Sequence, residues 1–151
     1  MKTEGVVLTP RAKAVVTFHG HPMIRSAHST TIEVTTEEHL TAKGDCIVGV
    51  GASSGCAQLD AQVKEGLRTR GSRVIIRLVV GNHTFEVRAE GDPRLELSHP
   101  NDIVIRRSDF ASDRTLAVRA DAAAKDVPRE LVRLLRDPGT IGLLEIEVAK
   151  G

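Results

Sequence analysis

Four of the six histidines fall between positions 19 and 39: His19, His21, His28 and His39. His19 and His21 are two apart, so an extended segment projects them to one side. Glu33, Asp45 and Cys46 follow, adding two carboxylates and a thiol. These residue types suit two chemistries. In the first, His21 or His28 is a general base oriented by Asp45. Cys46 is then a candidate nucleophile, provided a base lies within reach. In the second, His21, His28 and Glu33 hold a divalent metal such as zinc. Their spacing matches no compact metal motif of the His-Glu-x-x-His or Cys-x-x-Cys kind. Against a nucleophilic thiol stands the neighbouring Asp45, because a carboxylate raises a thiol pKa. The plainer alternatives are that Cys46 is a small buried hydrophobe and that His21 and His28 anchor loops through hydrogen bonds.

A second constellation is Arg106, Ser108 and Arg114. Arginine presents a planar fork suited to carboxylate or phosphate. Ser108 can cap the turn Asp109-Phe110-Ala111 and leave backbone N–H groups facing an anion. Strand alternation sends Arg106 and Arg107 to opposite faces, so one of the two enters a shared site. The competing reading is a solvated edge with Asp109 and Asp113 pairing locally. The Gly49–Gly55 loop lacks the Lys-Ser/Thr of a P-loop, and Ser54 stands where Gly-x-Gly-x-x-Gly needs its last glycine. The combined expectation is a polar pocket built from 19–33 and 44–46. Arg106, Ser108 and Arg114 are its anion contacts, and its ligand is a small anionic molecule. A nucleotide- or RNA-backbone-binding module and a purely structural protein are the alternatives.

The elements that must position these groups are mostly strands. Residues 12–19 alternate with Ala12, Ala14, Val16 and Phe18 inward. Further strands are expected at 28–34, 46–50, 95–97, 103–107, 116–119 and 143–148. Thr35 and Glu38 fit a capping box, which predicts a helical turn over 36–40. Leu59, Val63 and Leu67 share one face of a helix at 57–68, and Leu131, Leu134 and Leu135 one face of a helix at 128–136, with Pro128 in its first position. The strongest local pattern is a hairpin over 74–90 around Gly81-Asn82, suited to a type II′ turn. Pairing Val80 with His83 aligns Val74–Ala89, Ile76–Val87 and Leu78–Phe85 on one face. The same register sets Arg77 opposite Glu86 and Val79 opposite Thr84 on the other. Strand, turn, strand and helix recur at 29–68 and 103–136, with Gly44-Asp45 falling near Asp113-Arg114. The expected architecture is a single β-rich α+β domain over 1–151. It is a small barrel or a strongly twisted, mostly antiparallel sheet with two flanking helices and two interleaved repeats.

Composition narrows the function classes. With 21 basic and 20 acidic residues the net charge is +1, which excludes binding to nucleic acid by bulk charge. Three Phe, no Trp and no Tyr offer no base-stacking platform. Two cysteines do not make a disulfide framework, although a Cys46–Cys56 bridge remains an option. No apolar run reaches the ~18 residues of a membrane span. The N-terminal stretch, ended by Pro10 and Arg11, lacks a signal-peptide core, so the cytoplasm is the expected location.

Three segments carry a resemblance: Phe18-His-Gly-His-Pro22; Ala27-His28-x-Thr30-Thr31-x-Glu33-x-Thr35; and Leu40-Thr-x-x-Gly44-Asp45-Cys46-Ile47. Together they resemble an archaeal family catalogued as domain of unknown function 371. Ile103-Val-Ile-Arg106-x-Ser108-Asp109-Phe110 and Arg114-Thr115-Leu116-Ala117 are similar to its second half. The resemblance implies a compact archaeal cytoplasmic protein with His21, His28, Glu33, Asp45 and Cys46 in its signature. Met23 stands where that family has Asn.

Overall fold

The computed structural model describes residues 11–40 and 44–149. The N-terminal stretch read for a leader and Thr41 of the quoted motif lie outside them. The elements run β1 (Arg11–His19), β2 (Thr31–Thr35), β3 (Ile47–Gly49), α1 (Ala61–Leu67), β4 (Arg73–Val80), β5 (His83–Glu90), β6 (Asp102–Arg106), β7 (Thr115–Ala117), α2 (Arg129–Leu135) and β8 (Ile141–Ala149). One antiparallel sheet has the order β1-β8-β4-β5. The other, β3-β2-β6-β7, is mixed: β2 and β6 are antiparallel, and each has a parallel outer neighbour. The fold of the described residues is therefore strand-rich α+β with two α-helices. The barrel alternative is not realised. β3 and β7 are three residues long, and each sheet edge meets the other through a single bridge, His19–Val50 on one side and Glu90–Val118 on the other. No helix among the described residues is long and apolar enough to cross a membrane.

The hairpin takes the expected register throughout, including Val74–Ala89, Ile76–Val87, Leu78–Phe85 and Arg77–Glu86. Gly81 has φ +59 and Asn82 is not left-handed, as a type II′ turn requires. Val16, Phe18, Ile76, Leu144 and Ile146 of the first sheet face Ile32, Val34, Ile103 and Ile105 of the second in one core. Each such side chain contributes about 1.5–3 kcal/mol by leaving water. Val63, Leu67, Leu131 and Leu135 bring the two helices onto the same core.

Four local expectations differ. Residues 95–97 are not a strand: Leu95 and Leu97 are buried, but Leu97 adopts φ +53 in an irregular segment. Residues 36–40 form no helical turn. Thr35 Oγ1 accepts the Glu37 N–H at 3.3 Å, while Glu38 is drawn 2.6 Å from His19 Nε2 instead of closing a capping box. The 57–68 helix is split, because Asp60 caps a new start by accepting the Gln62 N–H at 2.7 Å. The residues before it form a 3-10 turn, Cys56–Gln58. Pro128 is the N-cap of α2 and not its first residue.

The repeat is realised as a pseudo-two-fold relation between β1–β4 with α1 and β5–β8 with α2. The halves reproduce each other's irregular hydrogen bonds. The Asp45 carbonyl accepts the Ala27 and His28 N–H groups, and the Asp113 carbonyl accepts those of Ser98 and His99. The Gly20 and His21 N–H groups bond the Thr140 and Leu135 carbonyls; those of Gly91 and Asp92 bond Ser72 and Leu67. Arg136 Nε donates to the Ile24 carbonyl, and Arg68 Nε to that of Leu95. Asp45 thus corresponds to Asp113, one position from where the sequence comparison set it. The dyad runs through the β2–β6 pair, where Glu33 lies opposite Val104.

Candidate proton-exchange and anion site

Alternation in β2 sends Ile32 and Val34 into the core, so Thr31, Glu33 and Thr35 face the other way. In β6 the same rule turns Asp102, Val104 and Arg106 to that side, and the register sets Thr31 beside Arg106 and Thr35 beside Asp102. This face is covered by loops. Glu33 is only 7% exposed and Val104 only 2%, although Val104 lies outside the main core cluster. A carboxyl is thus held in a nearly dry place beside an apolar neighbour.

Burial, and then the nearby Asp102 carboxylate, push Glu33 up to about 7; Arg114 pulls the other way. Two carboxyls this close do not both ionise readily, and one keeps its proton. Arg114 Nη1 donates to Asp102 Oδ2 at 2.9 Å, a charge-assisted hydrogen bond. His99 Nε2 lies 3.8 Å from the same oxygen.

Arg106 is fixed by two hydroxyls: Nε donates to Thr115 Oγ1 at 2.7 Å and Nη2 to Ser112 Oγ at 3.2 Å. Its Nη1 has no hydrogen-bond partner among the described residues. Burial, and then the charge of Arg114, push its pKa down from the usual range. Arg107 takes the other face and lies 3.8 Å from Asp126, as alternation requires. Ser108 Oγ accepts the Phe110 N–H at 3.3 Å, the turn-capping arrangement foreseen for it.

Cys46 Sγ donates to Glu33 Oε1 at 3.4 Å. Burial and the Glu33 carboxyl push the thiol up to about 12, which disfavours the thiolate that a nucleophile needs. The carboxyl responsible is Glu33 on the neighbouring strand, not Asp45, the residue next to it in sequence. Cys56 is buried and also pushed up to about 12, by burial first and then Asp102. Both thiols are free, which excludes the Cys46–Cys56 bridge.

The histidines take the loop-anchoring arrangement. His28 Nδ1 accepts the N–H groups of Thr30 and Thr31, both at 3.2 Å. His99 Nδ1 does the same for Asn101 and Asp102, at 3.1 and 2.9 Å. Two backbone donors require a lone pair on Nδ1, so the ring proton sits on Nε2. Asp45 meets His28 through its main-chain carbonyl, not through its carboxylate. His21 lies elsewhere: its N–H bonds the Leu135 carbonyl at the end of α2, and its Nδ1 accepts the Met23 N–H at 3.0 Å. No three His, Cys, Asp or Glu among the described residues form a group that could hold a metal. His21, His28 and Glu33 form no such group, and the main chain of His21 is bonded to the end of α2.

The structure thus brings Glu33, Cys46, Arg106 and Arg114 within electrostatic reach of one another, holds Ser108 in the turn before Phe110, and bonds His21 to the end of α2. Sequence reasoning missed Asp102, Ser112, Thr115 and His99. One signal was available: His28-Ser-Thr-Thr31 aligns with His99-Pro-Asn-Asp102 once the repeat is taken seriously.

A family model described as a domain of unknown function (DUF371) matches residues 16–149. The uncharacterized protein MJ0206 of the archaeon Methanocaldococcus jannaschii is 35% identical over 123 residues, 82% of this chain and 90% of that protein.

Proposed function

The chain belongs to the family of domain of unknown function 371, and from that premise we propose that the loop-covered face of its mixed sheet binds a small anionic molecule. Arg106 and Arg114 are the charged contacts, and the Glu33 carboxyl is the group that gives or takes a proton. The observation that carries this reading is the buried Glu33, raised to about 7 beside Asp102 with two arginines around it. A group whose pKa lies near the working pH is suited to proton transfer in either direction. If the ligand is turned over, protonated Glu33 is the general acid and its carboxylate the general base. The dominant chemistry is then proton movement next to a bound negative charge, without a thiolate nucleophile.

Calorimetric titration with sulfate tests this, because sulfate keeps its charge between pH 5.5 and 8.5. Ionising Glu33 adds negative charge to the site, so sulfate affinity falls as pH rises through about 7. Arg106→Gln weakens binding about tenfold or more, the scale of one charge-assisted hydrogen bond. Glu33→Gln flattens the pH dependence. Absence of sulfate binding, or binding indifferent to Arg106→Gln, would overturn the reading.

A further inference from the structure

Phe110 is the exception among the three phenylalanines. Phe18 is buried in the core and Phe85 packs against it, whereas Phe110 is 59% exposed. An exposed phenylalanine forgoes the stabilisation that burial gives, yet the backbone of this one is anchored. Its N–H bonds Ser108 Oγ at 3.3 Å, and its carbonyl accepts from Thr115 Oγ1 at 3.3 Å. The preceding carbonyl, of Asp109, accepts from Arg94 Nη2 at 2.8 Å. The ring lies over the guanidinium of Arg106, with Cζ 5.0 Å from the ring centroid. The other exposed large apolar side chains, Val15, Met23, Leu134 and Ile141, are aliphatic or thioether. An aromatic ring on an anchored backbone turn therefore stands in the open directly against the cation assigned to the anion.

We propose that the ligand of this site is a planar unsaturated ring bearing an anionic group, with the ring stacked on Phe110 and the anion held by Arg106. The inference rests on the anion-site reading above and adds the ligand's class to it. A flat π-system gains from stacking on phenylalanine whatever its exact substituents. Arg106 is already pinned by Thr115 and Ser112 and keeps Nη1 for the anion. Saturated anions gain only the charge contact. Nucleotides and simple aryl acids both satisfy this chemistry.

Matched pairs distinguish the ring from the charge. Benzenesulfonate is compared with methanesulfonate, and adenosine 5′-phosphate with ribose 5-phosphate, by calorimetry on the full chain. In at least one pair the ring compound binds about tenfold or more tightly, and the pair with the larger ratio identifies the source. Phe110→Ala brings that ratio to about one while the ringless anions still bind. The chain has no Trp or Tyr, so Phe110→Trp introduces a single fluorophore whose emission the ring compounds quench and the ringless ones do not. Ratios near one with the ringless anions still bound overturn this inference alone. A ratio that survives Phe110→Ala does the same. Failure of all four compounds and of sulfate to bind overturns the anion-site reading beneath it.

Discussion

Glu33→Gln stabilises the protein above pH 7 by about 2 kcal/mol and costs about 1 kcal/mol below pH 4.5, where only the desolvation of the glutamine amide remains. The sign follows from where the proton sits. The folded chain holds the Glu33 proton up to about 7, against an ordinary value of 4.5. Between those values the folded state binds more protons than the unfolded one, so stability falls as pH rises through the window and then levels off. Each unit of difference is worth about 1.4 kcal/mol, and a buried glutamine gives back part of the gain through its own desolvated amide. Glutamine keeps the shape of the acid. Denaturant unfolding of both proteins at pH 4, 6 and 8 measures the difference. A constant difference across pH, or a variant less stable at pH 8, would mean that Glu33 is an ordinary ionised carboxylate. Stabilisation with loss of pH-dependent sulfate binding is the behaviour of a group kept for function at a cost to the fold.

Gly91→Ala and Gly20→Ala each destabilise the protein by about 3 kcal/mol or more. These are pseudo-equivalent positions, and both lie where a strand leaves its sheet against the end of a helix. A Cβ on Gly91 collides with the Leu67 carbonyl and Ser72 Oγ. One on Gly20 collides with the carbonyls of Leu135 and Asp137. The obstacles are mainly backbone, so relief requires separating helix and strand, which breaks the Gly91–Ser72 and Gly20–Thr140 hydrogen bonds. Gly81→Ala is the contrasting case. Nothing lies within 4 Å of its Cβ, and only the left-handed φ of +59 resists the change, for about 1 kcal/mol. Denaturant midpoints rank the three. A loss at Gly91 no larger than that at Gly81 would contradict the close approach of α1 to the turn after β5.

What was legible in the sequence depended on how local the determinant was. The 74–90 hairpin could be aligned to the residue, because one register satisfied the apolar stripe, the Arg77–Glu86 pair and the turn glycine together. Leu95 and Leu97 mimic strand alternation, but φ +53 at Leu97 buries both from an irregular segment. Asp60 carries a cap that divides the expected helix, and the apolar spacing of Leu59, Val63 and Leu67 conceals it. In the site, Glu33 and Cys46 were visible as chemical types, and Arg106 was separated correctly from Arg107 by alternation. The carboxyl pair was not visible. Asp102 reaches Glu33 only through the antiparallel register of β2 and β6, a long-range pairing that periodicity does not encode. His21 and His28 drew attention as neighbours in sequence, but the turn at Gly20-His21-Pro22 binds His21 to α2 while His28 holds the start of β2. Phe18 and Phe85 lie on inward strand faces that periodicity marks, whereas Phe110 falls between strands, where periodicity carries no information about its exposure.

The carboxyl carbon resonance of Glu33, followed by NMR across pH 3–9, tests the central claim most directly. The account predicts a midpoint near 7, moving upward in saturating sulfate as the bound anion disfavours the second negative charge. A midpoint near 4.5 that sulfate does not move would contradict it.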